Sequence, residues 1–329
     1  MSNTIGVVVI GRNEGERLRK CLQSIKDNRV DRFVYVDSGS TDNSLEIAEN
    51  QGAHIVHLNT DIPFSAGRAR NEGFRYLTEQ YNDLEYVQFV DGDCMIESNW
   101  MDAGLAYLNE NPDYVIVAGQ RKELFPDSSV YNMMCDYEWN TPIGDAKASG
   151  GDFIIRTEAF SEVNGFNPKV VAGEEPDLCY RLRQKGWRIR RIDHIMTYHD
   201  AAMTKFSQWW KRTKRSGHAY TQGYDLHKAD KEGYNKKEVI RIMQWSVVLP
   251  FVVLLGTAFI HFLFVVALML YPVRLFRIYH NLSKKYGKGR NTFINSWFVS
   301  LAVFPQMVGL ALYYYRKLRS RDMKIIEYS

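Results

Sequence analysis

Apolar positions along the first ninety residues recur in two alternating rhythms. Residues 5–10, 33–36, 55–58 and 87–90 are short runs rich in β-branched and aromatic side chains, the pattern of buried strands. Between them Leu18, Leu22 and Ile25 fall on one helical face, and residues 45–48 and 67–77 carry helix periodicity. Strand and helix in alternation predict βαβ units, hence an α/β fold with a mostly parallel sheet between helices. Ligands in such folds sit at the carboxyl ends of the strands. The polar clusters fall at those ends: Arg12-Asn13-Glu14 after the first strand, Asp37-Ser38-Gly39-Ser40 after the second, Asp91-Gly92-Asp93 after the fourth.

The rhythm changes beyond residue 200. Residues 242–273 and 291–315 contain no Lys, Arg, Asp or Glu, and each run is long enough for the roughly 20 apolar residues of a bilayer-spanning helix. Before them, Phe206, Trp209 and Trp210 lie near one helical face among Lys205, Lys211, Arg212, Lys214 and Arg215, the pattern of a helix in the headgroup layer. This divides the chain into a catalytic-type domain over 1–202, an amphipathic helix and linker over 203–241, and membrane-embedded helices with basic flanks over 242–329. If each apolar run crossed once, the segment 274–290, with six Lys or Arg, would lie outside, against the positive-inside tendency. A run that enters and returns, bent near residues 250–256 or at Pro305, keeps every basic segment in the cytosol. Cysteine accessibility at residue 282 distinguishes the two.

Charge sharpens the division. Residues 1–200 hold 21 basic and 32 acidic side chains, and residues 201–329 hold 21 basic and 6 acidic ones. An acidic body is therefore joined to a basic end. Nucleic-acid binding, which the isoelectric point of 8.7 would suggest, is disfavoured because the basic residues flank apolar runs. The apolar stretch at residues 5–10 is too short for a signal sequence, so the acidic body is expected on the cytoplasmic face of the cell membrane. Cys21, Cys94, Cys135 and Cys179 form no C-x-x-C pair, which suits reduced thiols.

Asp91 and Asp93, two apart on a turn, can both face one hard cation, and such a cation is a usual bridge to a diphosphate. With VVVIGRNEG, VYVDSGSTDNS, RARNEG, SGGDFIIR and GEEPDLCYRLRQKGWRI in order around FVDGDC, residues 5–200 resemble the family-2 glycosyltransferases of the GT-A fold. The resemblance implies that Asn13, Glu14 and Asp37 hold the nucleoside of a nucleotide-diphosphate sugar. It places Arg70, supported by Arg68, at the diphosphate, and Gly150 and Gly151 beside the sugar and acceptor. It gives Asp91 to donor and metal, and Asp93 and His199 to the same Mn2+ or Mg2+ ion. The family's catalytic base falls on Glu175, with Glu174 as the alternative; Pro176 is expected to hold Glu175 extended just before a helix. His199 is expected to follow a short strand over 195–198.

The reaction implied is metal-dependent, inverting transfer of a sugar to a hydroxyl. A membrane mount points to a lipid-linked, polyprenyl-borne saccharide acceptor, as in polysaccharide or glycolipid assembly. Two other readings compete. A polyprenyl-phosphate sugar synthase would attack with a phosphate oxygen and need no base, and a non-catalytic membrane scaffold would release no nucleotide diphosphate.

Overall fold

The computed structural model describes residues 4–62, 64–230 and 232–319. Its chain order is β1 (Ile5–Gly11), α1 (Glu16–Asp27), β2 (Phe33–Asp37), α2 (Ser44–Asn50), β3 (His54–His57), α3 (Ala66–Gln80), β4 (Tyr86–Asp91), β5 (Cys94–Ile96), α4 (Trp100–Glu110), β6 (Tyr114–Glu123) and α5 (Val130–Trp139). There follow β7 (Gly144–Asp145), β8 (Phe153–Arg156), α6 (Thr157–Glu162), α7 (Glu174–Gln184), β9 (Arg188–His199) and α8 (Phe206–Leu226). The chain folds as two compact units: residues up to Pro126 with Cys135–Ala202, and Asp127–Met134 with the residues from Met203 onward.

In the first unit the strands form one sheet in the order β3-β2-β1-β4-β8-β6-β9-β5, with β7 on β9. Alternate side chains of β1 feed opposite faces. Val7 and Val9 join Leu18, Leu22 and Ile25 of α1 and Trp100 of α4; Val8 and Ile10 join Ala69 and Leu77 of α3 and Leu178 and Leu182 of α7. Both faces are covered, which is why the strands read as unbroken apolar runs rather than alternating ones. β1 pairs in parallel with β2 and β4, and β6 with β9, whereas β8 runs antiparallel between β4 and β6. The sheet is thus mixed, mostly parallel and flanked by helices.

Two local expectations are corrected. β9 extends over twelve residues and ends on His199, rather than being a short strand before it. Helix α7 begins at Glu174, after Gly173 in the left-handed region (φ 80°), so Glu175 sits inside the first turn instead of extended before it. Pro176 fits there because the first helical N–H groups have no intrahelical partner to lose.

The second unit is helical. The first apolar run does not continue as one helix, nor does it bend at Pro250–Gly256. One helix spans Lys236–Phe259, comprising α9 (Lys236–Met243), a π turn over Gln244–Val248 and α10 (Leu249–Phe259), with Pro250 in the first turn of α10. His261 is extended (φ −161°), the N–H groups of Ile260 and His261 both donate to the Gly256 carbonyl, and the chain turns back. The return helix, Phe262–Tyr286, ends in α11 (Leu270–Tyr286). Gly256 permits the turn's closeness, since a Cβ there would lie 2.1 Å from the ring of Phe264. A third helix, Arg290–Leu318, joins α12 (Arg290–Leu301) to α13 (Val303–Leu318) and runs through Pro305 without re-entry. All three are long and apolar enough to cross a membrane. Because the first run folds back, the basic segment 274–290 returns to the side on which Lys236 starts. Trp209, expected at a lipid interface, is instead buried against Phe298 at 4.9 Å.

Candidate functional site

Strand register assembles the site. Gly11 stands beside Asp37 and Ile10 beside Asp91, so both acids leave the sheet at one end. Antiparallel pairing of β5 with β9 sets Cys94 opposite His199. That pairing brings His199 Nε2 to 3.0 Å from Asp93 Oδ2, with the imidazole edge-on to Trp139 at 4.6 Å. Burial opposes charge on both partners, yet each ionises the other: Asp93 is held down to about 2, and His199 is pushed above its ordinary range. His199 Nδ1 is buried without a hydrogen-bond partner.

Asp93, Cys94 and His199 form one group whose donor atoms lie within 4.8 Å of one another, and Asp91, Cys94 and Asp152 form a second. Asp91 and His199 do not share a group. Burial drives the Cys94 thiol well above its usual range, and soft sulfur is a poor match for a hard divalent cation. Without the thiol, the first group offers Asp93 and His199 and the second Asp91 and Asp152; carboxylate and imidazole donors are the types that suit Mn2+ or Mg2+.

Asp91 faces cations. Arg70, buried on α3, reaches Asp91 Oδ1 at 2.6 Å and Glu174 Oε1 at 2.9 Å. Arg121, on β6, pairs with Asp152 at 2.6 Å and lies 3.9 Å from Asp91. Burial works against both guanidiniums, but the surrounding carboxylates raise their affinity for the proton. Asp152 is fully buried and also accepts from the Thr197 hydroxyl at 2.7 Å. A Cβ on Gly151 would stand 3.0 Å from Arg121, 3.1 Å from Asp91 and 3.4 Å from Arg70, so those side chains would have to give by a few tenths of an ångström. Gly150 has φ 99°, where a side chain is strained.

Glu174 and Glu175 diverge from adjacent positions. Glu174 joins the Arg70–Asp91 chain, whereas Glu175 Oε1 accepts from the Ser149 N–H at 2.5 Å, the Ser149 hydroxyl at 2.7 Å and the Cys179 thiol at 3.1 Å. Burial raises the Glu175 pKa above the usual carboxyl range, with the Ser149 hydrogen bonds acting in the opposite sense.

The loops after β1 and β2 are latched to one another. Thr41 N–H donates to the Asn13 side chain at 2.7 Å, and the N–H groups of Glu14 and Gly15 both donate to the Ser44 hydroxyl at 3.0 Å. Asp37 accepts from the N–H groups of Gly39 and Ser40, so its carboxylate also ties its own turn. Glu14 is pushed up to about 7, first by burial and then by Asp93. Arg68 points away from Arg70, toward the Asn59 carbonyl at 2.6 Å.

The structure therefore gathers Arg70, Asp91, Asp93, Gly151, Glu174, Glu175 and His199 at the ends of β4, β8 and β9, and puts Asn13, Glu14 and Asp37 at the neighbouring loop pair. Arg121 and Asp152 were missed by sequence reasoning. Asp152 stood in the open as the acid after paired glycines and before an apolar strand, a position that must be buried; Arg121 carried no comparable signal.

Known proteins align with this arrangement. The glycosyl transferase family 2 model matches residues 6–155, and a model described as the N-terminal domain of galactosyltransferase matches 132–205. Residues 6–155, just under half of the chain, are thus similar to glycosyl transferase family 2. Among curated relatives, the pre-mycofactocin glycosyltransferase of Mycobacterium tuberculosis is 27% identical over 224 residues, covering 63% of this chain and 45% of its own length. Glycosyltransferase AglE of Haloferax volcanii is 21% identical, covering 68% and 74%. The chain thus spans less than half the length of the first of these relatives. Among solved structures, the mannosyltransferase PcManGT of Pyrobaculum calidifontis, in complex with GDP-Man and Mn2+, superposes with a TM-score of 0.63 over 94% of this chain and 87% of its own, at 14% identity. That likeness shows the GT-A fold.

Proposed function

We propose that this chain is an inverting glycosyltransferase that moves a sugar from a nucleotide-diphosphate donor to a hydroxyl of a lipid-linked, polyprenyl-type saccharide at the cytoplasmic face of the cell membrane. The observation that carries the reading is the Asp93–His199 pair set beside the Arg70–Asp91–Glu174 chain at the carboxyl ends of β4 and β9.

Asp91, Asp93 and His199 would hold Mn2+ or Mg2+, which when bound neutralises charge on a departing diphosphate. Arg70 adds a fixed, buried positive charge on the same side, held in place by Glu174 and Asp91. Asn13, Glu14 and Asp37 bound the nucleoside side, where carboxylates accept from base N–H and ribose hydroxyl groups. Glu175, fastened to the Ser149-Gly150-Gly151 loop, takes the proton of the acceptor hydroxyl as that oxygen bonds to the anomeric carbon and the bond to the diphosphate breaks. Its raised pKa improves it as a proton acceptor over an exposed carboxylate. One displacement inverts the anomeric centre.

The lipid-borne acceptor and the membrane location are supported by the three long apolar helices and the basic residues around them. The test is a screen of sugar nucleotides with purified protein and Mn2+ or Mg2+, scored for nucleotide diphosphate release with and without polyprenyl-linked sugars. Release that requires both metal and acceptor is the expected result.

A further inference from the structure

The hairpin Lys236–Tyr286 has a neck and a tip of different chemistry. At the neck the Tyr271 hydroxyl donates to the Trp245 carbonyl at 2.6 Å, and the buried Arg274 lies over the Trp245 ring and donates to the Ser300 carbonyl at 3.0 Å. Beyond the neck the arms are apolar and unclothed: Phe259, Ile260 and Phe262 at the tip are 81%, 73% and 68% exposed. The one polar ring at the tip, His261, spends its Nδ1 accepting the Leu263 N–H. Residues 239–319 contain ten Lys or Arg and no Asp or Glu, and none of the ten lies between Arg241 and Arg274. The charges gather at the neck and the apolar surface at the tip.

Length decides how far such a wedge reaches. From Trp245 to Phe259 is 15 residues, about 22 Å at α-helical rise. The return arm is tighter, because Phe262–Met269 is a 3-10 helix; it covers about 19 Å to Tyr271. Aromatic residues such as Trp245 and Tyr271 settle at the membrane–water interface, and the hydrocarbon layer beneath is about 30 Å thick. The tip passes the mid-plane and stops short of the far interface. The third helix behaves differently. It is fastened to α8 along its length, by Phe298 on Trp209, Gly309 against the Lys214 backbone, Tyr313 on His218, and Lys317 with Asp225. Lys211, Arg212, Lys214 and Arg215 keep α8 out of hydrocarbon, so its partner stays at the surface too.

We infer that the helical unit is monotopic: the Lys236–Tyr286 hairpin enters an anionic bilayer from the side on which α8 lies and returns without crossing, and Arg290–Leu318 lies along the same surface. This rests on the membrane reading above and adds its topology. Within it, Lys and Arg at the neck meet anionic headgroups, and no described part of that unit reaches the opposite face.

The experiment uses the full chain in sealed membrane vesicles of both orientations, probed with a membrane-impermeant maleimide. The four native cysteines are buried and stay silent in the folded protein. Lys228→Cys, exposed just past the end of α8, marks the side on which α8 lies. Lys288→Cys and Leu318→Cys are expected to react only from the side that labels Lys228→Cys. Ile260→Cys, and Phe262→Cys as a second tip site, are expected to react from neither side until detergent is added. Tip labelling from the opposite face would overturn the inference in favour of a spanning hairpin. Labelling of Leu318→Cys from that face would show that the third helix crosses. Tip labelling from the Lys228 side in intact vesicles would show that the hairpin is not inserted. A chain that leaves the membrane pellet in carbonate would sink the membrane reading itself.

Discussion

At the residue scale, Glu174 and Glu175 are neighbours with different work. Glu174 is bonded to Arg70, whereas Glu175 is bonded to the Ser149 loop. Glu175→Gln is therefore expected to lower kcat by about 10²–10⁴-fold with little change in donor KM, the loss typical of a missing general base. Glu174→Gln loosens Arg70 instead and is expected to act mainly through donor KM; steady-state kinetics on the two variants separate these effects, and unchanged turnover in Glu175→Gln would favour a phosphate-oxygen nucleophile. His199→Gln is expected to raise the Mn2+ concentration needed for half-maximal activity by tenfold or more. Metal titration of the variant measures it, and an unchanged requirement would remove His199 from the ligand set. The order of acids along the sequence made these candidates legible. Their division of labour was not, because it depends on Arg70 and Ser149, which approach from 104 and 26 residues away.

At the scale of elements, β1, β2 and β4 were readable because strands buried on both faces are continuous apolar runs, and their polar ends mark the site. The placement of β8 between β4 and β6 was not readable. Antiparallel insertion of a four-residue strand is a long-range pairing with no local signature, and it carries Asp152 beneath the site. The turn at Ile260–His261 was also hidden, since it interrupts an apolar run without Pro or Gly at the turn itself. Packing gives two tests. A Cβ on Gly73 of α3 would lie 2.4 Å from Val8 and 2.9 Å from Val36. Gly73→Ala is expected to cost about 1–3 kcal/mol, seen as a Tm lowered by several degrees. In the second unit, burial lowers the pKa of His218 to about 4, with the charge of Arg316 adding to the effect. The unfolded chain takes up that proton near pH 6.5, before the folded one does. Stability therefore falls as pH drops from about 6.5 toward 4, by up to about 3 kcal/mol. Tm measured in detergent against pH checks this: His218→Gln should show a shallower fall than the parent chain, and parallel curves would remove His218 as the cause.

At the scale of the whole molecule, the acidic body and basic end visible in the sequence correspond to two differently built units. The acidic excess includes Asp91, Asp93, Asp152, Glu174 and Glu175, buried or half-buried around two arginines and a histidine. The basic excess surrounds helices whose apolar surface is uncovered among the described residues, such as Leu254 and Phe259 at 65% and 81% exposed. Charge asymmetry thus told where the units differ, and motif order told the family that residues 6–155 resemble. The positive-inside argument raised a run that enters and returns, but neither signal told that the turn falls at Ile260–His261. The central claim is metal-dependent sugar transfer by the acid cluster, and one measurement meets it directly: nucleotide diphosphate release from a panel of sugar nucleotides, with lipid-linked acceptor, by the parent chain and by Asp93→Asn, with and without Mn2+ or Mg2+. The account predicts release by the parent chain that depends on added metal, and a loss of at least a hundredfold in the variant. Equal release by the variant, or release by the parent chain that is indifferent to metal, would contradict it.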